Sequence, residues 1–264
     1  MIISPEIEKF IYNAVKTARM GGIDHIVIDS ESVRGIDESR TVLILHKEVP
    51  PLPFNAIAIT RVSLFLSRIN LVKDREGFSL DIEMDSRKEY VHRITFKAKG
   101  TKIDYRCGNP FAELPPDKRI PRQLTEVLIY KMSIDKESIN LLNQSKTAMS
   151  ADKVVITNKD GNGVSFAMSD IGGDILTHSF TPEFEIINSV EKTTFSHTYS
   201  IKLLIELLNE NIDSKVNELK EKAKVDKSKF KKEEVNPTTE FTIGKKGTLN
   251  IEINGINLIL LPRM

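Results

Sequence analysis

Asp24-His25-Ile26-Val27-Ile28 returns later in the chain as Asp152-Lys153-Val154-Val155-Ile156. An acid opens each stretch and a run of mostly β-branched residues follows, the composition of a buried strand. Two further pairs keep the same order. Ser63 opens an apolar helical run to Val72, and Ser200 opens a similar run to Asn209. Phe96-Lys97-Ala98-Lys99-Gly100-Thr101 returns in outline as Ile243-Gly244-Lys245-Lys246-Gly247-Thr248. The offsets grow slowly, from 128 to 137 to 147 residues. Three matches in register imply one domain present twice, and 264 residues suffice for two cores.

Composition narrows the function classes. The chain has 38 Lys and Arg against 37 Asp and Glu, so any nucleic-acid binding must come from local placement of charge. One cysteine, Cys107, excludes an intrachain disulfide and a cysteine zinc site, and suits a reducing compartment. There is no run of 18 or more apolar residues, so no membrane-spanning helix is expected. Met1 to Glu8 has neither the basic nor the apolar region of a secretion signal. The expected location is the cytoplasm.

Ser4-Pro5-Glu6 reads as a helix start: a hydroxyl cap, proline at the first position, then an acid. Ile7, Phe10, Ile11, Ala14, Val15 and Ala18 follow at helical spacing, and Gly21-Gly22 ends the run. Strands are expected at about 24–30 and 41–47, and Pro50-Pro51-Leu52-Pro53 breaks the pattern. A helix over about 61–72 precedes Phe78 to Asp85, a period-2 strand with one acidic face. Strands at about 89–98 and 101–107 meet at Lys99-Gly100. Residues 108–122, rich in proline, read as an extended connector closing a first domain, 1–122.

The second domain, 123–264, replays the order. Strands are expected near 126–132, 152–158, 163–168, 174–181, 184–190, 239–244, 247–253 and 256–261, with helices at about 134–149 and 199–209. A charged insertion over about 211–239 is either a solvated helix or a disordered loop. The fold class is α+β: two similar domains of mostly antiparallel sheets with two helices each.

The helices keep basic residues on their outer faces. Lys9, Asn13 and Lys16 share one face of the first helix, with Arg19 beside it. Arg61 and Arg68 align on the second, with Lys73 at its end. Lys136 and Lys146 lie on the polar side of the third, and Lys202 on the fourth, with Glu206 between it and Asn209. Such faces suit phosphates met without base readout.

On this evidence the chain resembles a DNA sliding clamp, the polymerase processivity factor. It looks closer to the phage-type clamps than to cellular proliferating cell nuclear antigen. The resemblance rests on the early helix after Ser4-Pro5, the apolar-basic helix Arg61 to Ile69, the proline-rich connector, the duplication, and the C-terminal Asn257-Leu258-Ile259-Leu260-Leu261-Pro262-Arg263-Met264. It implies a closed ring, usually a homotrimer of two-domain subunits, with helices facing the hole. Lys9, Lys16, Arg19, Arg61, Arg68, Lys73, Lys136, Lys146 and Lys202 would then face duplex DNA without sequence specificity. A polymerase or clamp loader would dock a short peptide against Phe111, Leu114, Ile120, Leu260, Leu261 and Pro262. The resemblance implies no cofactor and no catalysis, and a host cytoplasm if the source is viral. The other reading held open is a non-ring nucleic-acid-binding protein of a replication or repair complex.

Enzyme readings have little support. Asp81, Glu83 and Asp85 share a strand face, but no Lys or His stands beside them in a recognised spacing. Asp160-Gly161-Asn162-Gly163 lacks the glutamate of a calcium loop and reads as a hairpin turn. The histidines at 25, 46, 92, 178 and 197 are scattered, and Cys107 reads as a small buried apolar residue.

Overall fold

The computed structural model describes residues 1–112, 128–158, 163–180, 184–186, 194–225 and 238–263. The chain divides into two compact units. Unit 1 is Met1–Leu124 with Gly255–Leu258, and unit 2 is Thr125–Asn254 with Ile259–Met264.

Unit 1 begins with helix α1 (Pro5–Met20). The Ser4 hydroxyl accepts from the Ile7 N–H at 3.4 Å, and Gly21 donates back to the Thr17 carbonyl. Both ends are therefore satisfied by neighbours in sequence. Strands β1 (Ile26–Asp29), β2 (Val33–Ile36), β3 (Val42–His46) and β4 (Ala56–Ile59) form an antiparallel sheet in the order β3-β2-β1-β4. Helix α2 (Val62–Asn70) follows, then β5 (Ser79–Met84), β6 (Val91–Ala98) and β7 (Thr101–Arg106), which pair as β5-β6-β7 and continue the same sheet where β6 meets β4 in parallel at Ile57 and Val91. Ile2 adds a bridge to Asp81 at the β5 edge.

Helix α2 has no side-chain cap of its own. Two distant groups serve instead. The Tyr105 hydroxyl on β7 accepts from the Arg61 N–H at 3.2 Å, and the Asp24 carbonyl accepts from the Val62 N–H at 3.2 Å. The buried face of α2, Val62, Phe65 and Ile69, completes the hold. Phe65 meets Phe96 and Tyr105 edge-on at 5.1 and 5.2 Å.

Unit 2 repeats this order. Strand β8 (Leu128–Ile134) leads into α3 (Lys136–Ala148), capped by Asp135, whose carboxylate accepts from Ser138 N–H at 2.8 Å. Hydrogen bonding from Ser138, its side chain first and its N–H second, holds the Asp135 carboxyl below its ordinary pKa. Strands β9 (Lys153–Asn158), β10 (Val164–Ser169), β11 (Ile175–Phe180) and β13 (Phe195–Ser200) form a sheet in the order β11-β10-β9-β13. Strand β12 (Phe184–Ile186) pairs with β8, which also pairs with β14 (Thr239–Gly244), itself paired to β15 (Leu249–Ile253). Strand β16 (Ile256–Leu260) ends the series, and α4 (Ile201–Val225) sits between β13 and β14.

The first repeat holds: Asp24 precedes β1 and Asp152 precedes β9, and both carbonyls accept from the first turn of a helix. Ile201 N–H donates to the Asp152 carbonyl at 3.2 Å, as Val62 does to Asp24. That bond equates Val62 with Ile201, an offset of 139, and so moves the Ser63–Ser200 match by two residues. The third match is corrected. The Lys99-Gly100 turn joins β6 to β7, whereas Lys245-Lys246 joins β14 to β15, which in element order correspond to β5 and β6. Short basic turns with a glycine suit any hairpin, so the likeness carries no register.

Three strands were not legible: β2, β4 and β13. Strand β2 is four residues with Arg34 and Gly35 inside it. Ala56–Ile59 is four residues, wholly buried, close behind three prolines. Phe195–Ser200 alternates, but its polar positions are Ser, His and Thr. The choice left open over the insertion resolves in part, because α4 is helical to Val225. Residues 226–237, the turn at 159–162 and most of the connector lie outside the described residues.

Candidate nucleic-acid interface

Each unit sets one helix pair on its sheets, and the apolar stripes face inward. On α1 the stripe is Ile7, Ile11, Ala14, Val15 and Ala18, so Lys9, Asn13 and Lys16 fall on the opposite side. Lys9 and Arg19 are exposed and Lys16 is half-buried.

Between α1 and α2 runs a polar seam. The Tyr12 hydroxyl donates to Asn70 Oδ1 at 3.3 Å. Lys73 Nζ donates to the Tyr12 hydroxyl at 2.8 Å and stands 4.5 Å from the ring centre. The outward face of α2 is Ser63, Ser67 and Asn70, all exposed. Arg61 and Arg68 do share a face, but it is the flank over Tyr105. Their guanidinium carbons lie 5.7 and 5.8 Å from that ring centre, and Arg68 also donates to the Asp104 carbonyl at 2.7 Å. Among the described residues, Lys9, Arg19, Arg61, Arg68 and Lys73 form no ion pair.

The seam of unit 2 uses the equivalent asparagine. Lys136 Nζ donates to Asn209 Oδ1 at 2.9 Å, and Asp213 stands 3.4 Å away. Asn209 lies eight residues after Ile201, as Asn70 lies eight after Val62. Lys202 faces Glu206 at 3.9 Å along the helix. Lys146 is half-buried near the end of α3.

The proposed peptide residues separate. Phe111 is 60% exposed, edge-on to Tyr90 at 6.3 Å. Leu114 and Ile120 lie outside the described residues. Leu260 is buried in β16, whereas Leu261 and Pro262 are half-buried. Arg263 ties the tail to unit 2: its N–H donates to Thr198 at 2.8 Å and its guanidinium stands 3.6 Å from Asp152.

The acidic strand face is occupied by its neighbours. Lys97 donates to Asp81 at 2.6 Å and, above other causes, holds its carboxyl below the usual range. Arg93 stands 3.4 Å from Glu83. Asp85 accepts from the backbone N–H groups of Arg87, Glu89 and Tyr90, closing the β5–β6 turn. Among the described residues, no three His, Cys, Asp or Glu gather as metal ligands. Burial alone pushes the Cys107 thiol up to about 12. No described helix is long and apolar enough to cross a membrane.

Sequence reasoning missed Tyr105, Tyr12 and Asn70, and placed Asn209 on an outward face without its equivalence to Asn70. Their signal was faint: Tyr105 is the buried position of an alternating strand, and its partners on α2 are about forty residues away.

No family model and no curated protein matches the chain. Solved structures do. The chain is similar over its full length to the A. fulgidus PCNA solved with the C-terminal region of FEN-1, at 15% identity, a TM-score of 0.58 and 97% of that chain covered. PCNA of Thermococcus kodakaraensis matches at 12% identity and a TM-score of 0.58, with 100% of this chain and 99% of that one covered. The DNA polymerase sliding clamp of Bacillus subtilis matches at 13% and 0.58 over all of this chain, which spans 63% of that clamp. The fold is that of the sliding clamps.

Proposed function

We propose that this chain is the subunit of a DNA sliding clamp, a homotrimeric ring that encircles duplex DNA and tethers a polymerase. The observation that carries the reading is the duplicated helix pair on antiparallel sheets, with cations on its solvent side. A ring needs two complementary edges per subunit. Among the described residues, β7 of unit 1 and β11 of unit 2 each pair on one side only. Ile171, in the turn before β11, and Ile175, its first residue, are 103% and 72% exposed. Strand addition by a second copy would cover both edges.

The nine cations Lys9, Lys16, Arg19, Arg61, Arg68, Lys73, Lys136, Lys146 and Lys202 would meet phosphates loosely, and topology rather than affinity would hold the ring in place. A partner's short peptide, as the A. fulgidus structure holds a piece of FEN-1, would take apolar contacts from Phe111, Leu114, Ile120, Leu260, Leu261 and Pro262. This is a scaffold's role, exercised wherever the replicating DNA lies, in a cell's cytoplasm or that of an infected host.

Light scattering with a retention assay tests it. A mass of three times 29.8 kDa, with retention on closed circular duplex and release on linearisation, is expected. A monomer at high concentration that binds circles and linear duplex alike refutes the ring and leaves the non-ring nucleic-acid-binding reading.

A further inference from the structure

The two helix pairs are built alike but charged unlike. In unit 1, α1 and α2 with their flanking residues carry six cations against Glu6 and Glu8. In unit 2, α3 together with α4 as far as Ser214 carries Lys136, Lys146 and Lys202 against Glu137, Glu206, Glu210 and Asp213. The difference is sharpest at the equivalent seams. Beside Asn70 stands a tyrosine whose ring and hydroxyl hold the Lys73 ammonium without neutralising it. Beside Asn209 stand Lys136 and, 3.4 Å from it, Asp213. About two turns before Asp213, Glu206 stands 3.9 Å from Lys202.

Stability does not account for these carboxylates. Asp213 and Glu206 side chains are 62% and 57% exposed, and such pairs contribute about 0–1 kcal/mol. Their larger effect is on a third charge. A phosphate sees the net charge within a screening length of about 8 Å at physiological salt. It meets a cationic surface on unit 1 and a neutral to acidic one on unit 2.

We propose that contact with the sugar-phosphate backbone of duplex DNA is concentrated on unit 1, and that Glu206 and Asp213 keep the α3–α4 surface from gripping it. This rests on the reading that the helices face DNA. A subunit then holds through one unit and slips past the other, which keeps the total grip low enough for sliding. Beyond Ser214, α4 adds four lysines and two glutamates on turns past the Asn209 seam. These residues need their own variant.

The full-length protein is titrated with a labelled linear duplex of arbitrary sequence across a range of salt, by fluorescence anisotropy. Glu206→Gln with Asp213→Asn tightens binding about two- to fivefold at low salt, and the gain disappears at about 0.5 M. Lys9→Gln with Arg19→Gln weakens binding about fivefold, whereas Lys146→Gln with Lys202→Gln changes it by less than about twofold. All these side chains are exposed or half-buried, and circular dichroism confirms that each variant is folded. No gain from the acid pair, equal losses from the two basic pairs, or a larger loss from replacing Lys215, Lys220, Lys222 and Lys224 with glutamine overturns the proposal. So does absence of binding by both the wild type and the acid-pair variant. Failure of the ring reading shows elsewhere, as a wild type that is not retained on closed circles.

Discussion

Replacing Tyr105 separates two roles of one side chain. The tyrosine is fully buried on β7, and its hydroxyl accepts from the Arg61 N–H at the uncapped start of α2. Its ring meets Phe65 edge-on at 5.2 Å and underlies both arginines. Tyr105→Phe keeps the ring and removes the acceptor. A part-buried backbone donor then loses its partner, at about 0.5–1.5 kcal/mol. Tyr105→Leu removes the ring as well. The lost edge-on contact contributes about 0.5–1.5 kcal/mol and the remaining void adds to it, so the total reaches about 2–4 kcal/mol. The platform beneath Arg61 and Arg68 goes too, each contact worth about 0.5–1 kcal/mol at an exposed site. Urea unfolding followed by circular dichroism reads stability, and anisotropy against salt reads DNA binding. The Phe variant should lose stability with unchanged binding. The Leu variant should lose more stability and bind about two- to fivefold more weakly, because two loose guanidiniums must be ordered at the phosphate. A Phe variant as stable as wild type would show that the hydroxyl does not cap α2. A Leu variant that binds like the Phe variant would show that the ring does not position the arginines.

Gly247 sits at φ +88°, and a Cβ there would come within 2.6 Å of the His197 ring. Gly247→Ala should therefore cost more than about 2 kcal/mol, and urea unfolding checks it. Ile175→Asp at the β11 edge, where exposure is 72%, should leave the secondary structure intact and shift light scattering toward the monomer. Cys107 should resist a thiol-reactive dye until urea unfolds the protein, and rapid labelling of the native state would contradict its burial. Its folded pKa of about 12 lies above the unfolded value near 9.0, so burial of the neutral thiol stabilises fully below pH 9.0. That contribution is lost as pH rises toward 12, and Cys107→Ala should flatten the alkaline limb of a stability-versus-pH curve.

Local chemistry was readable wherever an element carries its own instructions. Helix α1 is announced by Ser4-Pro5 and ended by Gly21-Gly22, because caps and turns act over a few residues. The β5 alternation reads directly, because one buried face imposes period two. The duplication was visible at Asp24 and Asp152, where the same backbone bond recurs. The candidate cations were legible as types at helical spacing, but not their neighbours.

What the chain determined by itself is thus the repeat, the helix starts and the alternating strands, all set by interactions between residues close in sequence. Tertiary structure decided the rest. Strands β2, β4 and β13 are too short or too polar to stand out, and exist because a neighbouring strand supplies their hydrogen bonds. Helix α2 starts where it does because Tyr105 and Asp24 reach it from elsewhere. The contrast between Lys73 on Tyr12 and Lys136 beside Asp213 joins residues 61 and 77 positions apart. No window along the chain contains such a pair, because electrostatic neighbours are set by packing in space rather than by order in sequence.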